Sequence, residues 1–236
     1  MRQLSSSVKH FAANPPSAAQ KQHARVVLRG LKKLFPTARM FLNFRSHWEL
    51  LVAVELSAQC TDKKVNEITP ALFARYPKLE DYVTADPREF EQLIFQSGFY
   101  RNKTKNILAA AKMVKHTFHG KIPKTMEEIL TIPGVARKTA NVVLGNAHGV
   151  VAGIAVDTHV KRLSRVLELS RETDPDKIER DLMMLYPKKE WFNLSYLLIE
   201  YGRKYCPAKK HYHSTCLTIL GMKSSDENLG VRQSST

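Results

Sequence analysis

Apolar residues return every three or four positions along nearly the whole chain. Val65, Ile68 and Leu72 share one helical face, as do Ile107, Ala111, Val114 and Phe118. The same spacing holds for Val156, Val160, Leu163 and Leu167, for Ile178, Leu182 and Leu185, and for Trp191, Leu194, Leu198 and Tyr201. A period near 3.6 predicts amphipathic helices. The stretch from Trp48 to Leu56 is apolar almost all round, which predicts a buried central helix. Alternating strand patterns are almost absent. Breaks are expected at Pro36, Pro70, Pro77, Pro87, Gly98, Gly120 to Pro123, Pro133-Gly134, Gly149 to Gly153, Pro175 and Pro187. The expectation is an all-α fold of about ten short helices.

The 236 residues suffice for one large domain or two smaller lobes. Lys plus Arg is 37 and Asp plus Glu is 22, a formal net charge of +15. No acid precedes Glu49, whereas Arg2, Lys9, Lys21, Arg25, Arg29, Lys32, Lys33, Arg39 and Arg45 all do. Excess charge of one sign favours a polyanion, which points to nucleic acid. No apolar run reaches membrane-spanning length, and no signal-peptide core is present. Residues 1–22 read as a basic flexible arm and residues 223–236 as a polar, disordered tail. Three cysteines make no disulfide framework, so a reducing cytosol or nucleoid is the expected setting. Transit peptides share the early lack of acids, which leaves an organelle open.

The chemistry concentrates between Ile129 and His159. Thr125-Met-Glu-Glu128 is a capping box that starts a short helix ending near Thr131. Pro133 stops that helix, and Gly134 permits a turn with no side chain between backbone and ligand. A second helix begins near Arg137 and runs toward Ala147. Its free N–H groups and positive dipole end suit a phosphate, and Arg137 adds charge. The pattern is a helix-hairpin-helix, though an ordinary αα-turn has the same outline. Lys138 follows one turn after Gly134, as a phosphate contact or as an amine able to attack a sugar C1′. Asp157 precedes a further helix, as a cap or as a carboxylate facing Lys138 across a cleft.

LTIPGVARKTANVVL followed by IAVDTH closely resembles endonuclease III of the helix-hairpin-helix DNA glycosylase superfamily. The likeness covers residues 25 to 222 and includes ELLVAVELSAQCTDKKVN, IFQSGFYRNKTKNI and IEYGRKYC in the family's order. It implies two all-α lobes flanking a DNA groove. One lobe would be residues 41–150. The other would join residues 23–40 to 151–222. It also implies a monomer acting on double-stranded DNA with a damaged base, in the cytoplasm at the nucleoid. The implied reaction excises oxidised pyrimidines and then cuts the abasic site by β-elimination, with Lys138 as nucleophile and Asp157 as the assisting carboxylate.

By the same resemblance, Gln59 fills the gap left by a flipped base, and Phe99 is the apolar wedge that is usually leucine. Gly134, Ala136, Arg137, Lys209 and Lys210 would meet DNA, with Arg101 and Lys103 where the backbone passes. Asp62 and His159 would support the site. Each has a plainer reading: Gln59 a helix-end amide, Phe99 a core aromatic, Asp62 a cap, His159 a structural histidine. Ala136 stands where the hairpin usually has a second glycine, so phosphate binding survives unless that position needs a positive φ.

The family often holds a [4Fe–4S] cluster by cysteines at spacing C-x6-C-x2-C-x5-C. Here the four positions are Cys206, His213, Cys216 and Met222. Two thiolates are missing, so the resemblance at this loop implies no cluster and no cofactor. Zinc at Cys206, Cys216, His213 and His211 would lack an evident closed set. Two other readings stay open: a monofunctional glycosylase for mismatched or deaminated bases, and a non-catalytic helix-hairpin-helix DNA-binding protein.

Overall fold

The computed structural model describes residues 15–209 and 213–221. The tail over 223–236 and most of the arm lie outside them. Every regular element among the described residues is helical: twelve α-helices and one 3-10 turn. None is long and apolar enough to cross a membrane.

Helix α1 (Ala18–Leu34) begins inside the predicted arm, because Ser17 and Gln20 form a reciprocal capping box. Helix α2 (His47–Leu56) is the central buried helix that its sequence predicts; every residue from Trp48 to Leu56 is buried. Helix α3 (Asp62–Arg75) runs through Pro70, where a break was expected. The missing N–H and ring clash cost about 3 kcal/mol. Burial of Ile68, Thr69, Leu72 and Phe73 around the proline offsets that cost.

Helices α4 (Leu79–Val83), α5 (Pro87–Ile94) and α6 (Tyr100–His116) pack with α2, α3, α7 (Met126–Ile129) and α8 (Arg137–His148) around one core. Leu50, Leu51, Leu56, Ile107 and Val143 lie at its centre, all fully buried. A second core gathers α1 with α9 (Thr158–Val166), α10 (Pro175–Leu185), α11 (Lys188–Lys204) and α12 (His213–Ile219). Val27, Leu31, Leu163, Leu182 and Leu198 fill it. The segment after α8 stitches the cores together. Val150, Ala152 and Ala155 pack on the first, and Ile154 and Val156 on the second. Asp157 therefore leaves this connection where the two cores meet.

Candidate active site

Thr125 Oγ1 accepts from Glu128 N at 3.2 Å and starts α7. The Glu128 carboxylate takes the Thr125 hydroxyl at 2.9 Å rather than the cap N–H, so half of the expected capping box forms. The helix stops at Ile129, and Val135 N bonds Ile132 O at 3.1 Å to close the turn. Gly134 has φ +84°, a conformation that favours glycine. Ala136 is the N-cap of α8 at φ −93°, ψ 171°, so alanine fits there without strain. No side chain caps this helix start, which leaves its first amides available to an anion.

Lys138 is the second residue of α8 and half-buried. Asp157 is the N-cap of α9, its Oδ1 accepting from Val160 N at 2.8 Å. The plain reading of Asp157 as a cap is therefore true, and it coexists with a second placement. Lys138 and Asp157 line one open cleft of about 1260 Å³, together with Gln59, Asp62, His159 and Arg203. A deeper chamber of about 90 Å³ shares Lys138, Asp157, Asp62 and Arg203 and adds Trp191 and Phe192.

Asp62 does not cap α3; Thr61 does. Asp62 instead accepts from Arg203 NH2 at 2.6 Å, and Arg203 also lies over the Phe41 ring at 4.8 Å. Arg203 and Phe41 are cleft residues that the motif reading missed. Arg203 lay in the IEYGRKYC segment, but nothing local marked it. Burial holds the His159 imidazole below its usual value despite the nearby Asp157 carboxylate. Its Nδ1 is buried without a hydrogen-bond partner.

Gln59 and Phe99 both adopt left-handed backbone, at φ 54° and φ 47°. For side chains without a turn-forming polar group this is a strained state that the surroundings must impose. Phe99 is 64% exposed, so it is no core aromatic. Lys103 does not reach out as expected. It is buried, and its Nζ donates to Leu56 O at 2.9 Å and Ser97 O at 2.7 Å. It ties the end of α2 to the turn that presents Phe99. Arg101 stays outside, over the Tyr100 ring at 5.4 Å.

Arg137 is also turned inward. Its Nε donates to Glu179 Oε2 at 2.5 Å, and its NH2 donates to Oε1 at 3.3 Å. The same carboxylate accepts from Asn141 Nδ2 at 2.8 Å and Ile154 N at 3.1 Å. Glu179 is 3% exposed. A Cβ at Gly153 would fall 1.8 Å from Glu179 Oε1, so glycine there makes room for the carboxylate.

In the C-terminal loop, Lys209 is exposed. Lys210, His211 and Met222 lie outside the described residues, as does the His213 side chain. Cys206 and Cys216 are fully buried. Arg162 donates to Cys206 Sγ at 3.5 Å and Cys206 O at 2.5 Å, and Cys216 Sγ donates to Tyr205 O at 3.4 Å. Burial pushes the Cys216 thiol up to about 12. Among the described residues, no group of three or more His, Cys, Asp or Glu side chains could hold a metal ion. Two buried cysteines occupied by protein contacts do not fit a site that needs four thiolates.

The model of the HhH-GPD superfamily of base excision DNA repair proteins matches residues 52–188. Endonuclease III of Synechocystis sp. is 52% identical over 199 residues, covering 84% of this chain and 91% of the relative. Endonuclease III of Bacillus subtilis is 44% identical over 184 residues, 78% and 84% of the two chains. A solved structure of a trapped covalent endonuclease III–DNA intermediate superposes with TM-score 0.78 at 42% identity, over 80% of this chain and 89% of the other. A thermostable thymine-DNA glycosylase shares the fold, with TM-score 0.71 at 20% identity over 81% and 91%.

Proposed function

The chain belongs to the endonuclease III family of the HhH-GPD superfamily, and from that premise we propose that Lys138 and Asp157 carry its chemistry. The protein is a DNA-repair glycosylase and abasic-site lyase that acts on duplex DNA. The observation that supports the residue assignment is the shared cleft. An amine from α8 and a carboxylate from the start of α9 line the same space.

The damaged nucleotide leaves the stack, because its C1′ is unreachable within the duplex. Gln59 fills the space it vacates and Phe99 wedges between the bases beside it, which accounts for their strained backbones. Lys138 Nζ forms a bond to C1′ as the C1′–base bond breaks, and the base departs with the electron pair. Asp157 takes a proton from the attacking amine and stabilises positive charge developing on the sugar. The C1′–O4′ bond then breaks, O4′ takes the proton that Asp157 accepted, and the sugar opens to a protonated imine. Water in the open cleft takes the C2′ proton, its bonding pair moves toward that imine, and the C3′–O bond breaks with its electrons leaving on the 3′ phosphate. Water frees Lys138. The preferred lesions are oxidised pyrimidines, whose weakened stacking makes extrusion cheaper.

Borohydride reduction during turnover on a duplex carrying an oxidised pyrimidine tests the assignment. The wild-type protein gives a covalent adduct and Lys138→Ala gives none. Base release without an adduct would instead mark a monofunctional glycosylase. Binding without release would mark a non-catalytic DNA-binding protein.

By resemblance, the family often holds a [4Fe–4S] cluster at this loop. In this chain the loop holds its place by packing, with Cys206 and Cys216 as thiols and no cluster. Purified protein will lack stoichiometric iron and the broad visible absorption of an iron–sulfur centre. Four irons per chain would overturn this.

A further inference from the structure

The last turn of α2 carries a carboxyl group that the described fold leaves without a partner. Glu55 is 6% exposed, and its Oε1 has no hydrogen-bond partner. The other buried glutamates are paired: Glu49 with Arg45, Glu179 with Arg137 and Glu190 with Lys32. An isolated buried carboxylate is very costly, so such a group keeps its proton instead. Burial pushes Glu55 up to about 8, with no contribution from a neighbouring charge.

The position of this acid matters. A Cβ at Gly134 would lie 2.6 Å from Glu55 Oε2 and 3.0 Å from Asn106 Cβ. The carboxyl therefore packs directly beneath the hairpin glycine. It opens into a pocket of about 240 Å³ that also takes in Gln59, Phe99, Asn106 and Thr139. From α6 the pocket receives Asn102, Asn106 and Lys103; from the hairpin and α8 it receives Gly134 and Thr139. Lys103 is the one other titratable side chain in the lining, and its Nζ is already bonded to two carbonyls. Amides, a hydroxyl and a protonated carboxyl offer donors with no negative charge among them.

We propose that this pocket is a phosphate subsite beneath the hairpin, which takes a phosphodiester of the DNA backbone through a proton-bearing Glu55 and releases it when that proton leaves. The proposal rests on the reading of the chain as a DNA-repair enzyme. With its proton, Glu55 donates an O–H to a phosphate oxygen, a bond strengthened by the charge of the acceptor. Without it, the donor is lost and a like charge faces the phosphate. The adjacent uncapped amides of α8 and the net charge of +15 favour an anion here over a neutral base. Linkage is reciprocal, so bound phosphate strengthens the hold on the proton. Affinity is therefore complete below pH about 8. It falls as pH rises through that value and levels once the DNA-bound form ionises too.

The test is the affinity of the full chain for a duplex with a tetrahydrofuran abasic analogue, from pH 6.5 to 9.5 at fixed salt. Wild type and Glu55→Gln are each referred to their own value at the lowest pH. Every other titrating group is common to both. Wild type should lose on the order of tenfold more affinity than E55Q, since each unit by which DNA raises the Glu55 value is a factor of ten. Parallel curves would overturn the proposal. A gap that appears opposite only one partner base would assign the pocket to a base and overturn it as well. Thermal melting checks that E55Q folds. Should it not, calorimetric titration of wild type at pH 8 in two buffers of different ionisation enthalpy reads proton uptake directly. Uptake supports the proposal, and its absence sinks it. Failure to bind this duplex at any pH would instead strike the DNA-repair reading itself.

Discussion

Glu179 accepts a 2.5 Å hydrogen bond from Arg137 across the boundary between the two hydrophobic cores. Glu179 stands on α10 of the second core. Arg137 stands on α8 of the first, immediately before Lys138. Through Asn141 and Ile154 N, the same carboxylate also holds the helix and the connection that leads to Asp157. One buried acid on α10 thus joins the helix that carries Lys138 to the connection that leads to Asp157.

Removing that acid leaves Arg137 and Asn141 facing a cavity. Glu179→Ala should lower stability by about 2–4 kcal/mol, a figure that allows for the partial exposure of Arg137. Urea denaturation measures it. Gly153→Ala should shift the midpoint in the same direction, because its methyl would fall on Glu179 Oε1. A change under about 0.5 kcal/mol in E179A would show that the network carries little tertiary weight.

Asp157 is both a cap and a cleft carboxylate, and one substitution separates the two. Asparagine caps helices as well as aspartate does. Asp157→Asn should therefore melt within a few degrees of wild type. Its single-turnover base excision should be slower by about 10²–10⁴-fold, the range for a lost acid–base group. Unchanged excision would confine Asp157 to its cap.

Phe99 is exposed and strained, so it adds nothing to the core. Phe99→Ala should leave stability within about 0.5 kcal/mol, as at other surface sites. Excision from duplex DNA should fall about tenfold or more, because no apolar wedge then holds the stack open beside the extruded base. Excision from a substrate mismatched at the lesion should fall less. Equal losses on both substrates would argue against a wedge.

Glu55 makes stability depend on pH in the direction opposite to a salt-bridged acid. The unfolded chain releases this proton near the ordinary 4.5, whereas the folded chain holds it to about 8. Across that window the native state binds more protons, so stability falls as pH rises, by up to about 5 kcal/mol. Glu55→Leu should remove this slope and be more stable than wild type at pH 8. Urea unfolding at pH 5, 7 and 8.5 reads both effects. Parallel pH profiles would count against a buried, proton-bearing Glu55.

Periodicity disclosed an all-α chain and a buried Trp48–Leu56 helix, and Pro133-Gly134 disclosed the turn ahead of Lys138, since each depends on residues close in sequence. Asp157 was legible as a helix start for the same reason. Proline was misleading at position 70, where core burial outweighed a local rule. Tertiary structure alone decided where polar side chains spend their bonds. Arg137 and Lys103 carry charge that suggests DNA, yet both turn inward to partners from other segments. Glu179 lies 42 residues from Arg137, and Arg203 lies 141 from Asp62. Glu55 is one of two acids on the apolar Trp48–Leu56 helix, and only packing placed it under Gly134 with its Oε1 unpartnered. Helix formation is a matter of nearest neighbours. The pairing or isolation of a buried charge is a matter of which distant elements the two cores bring against it.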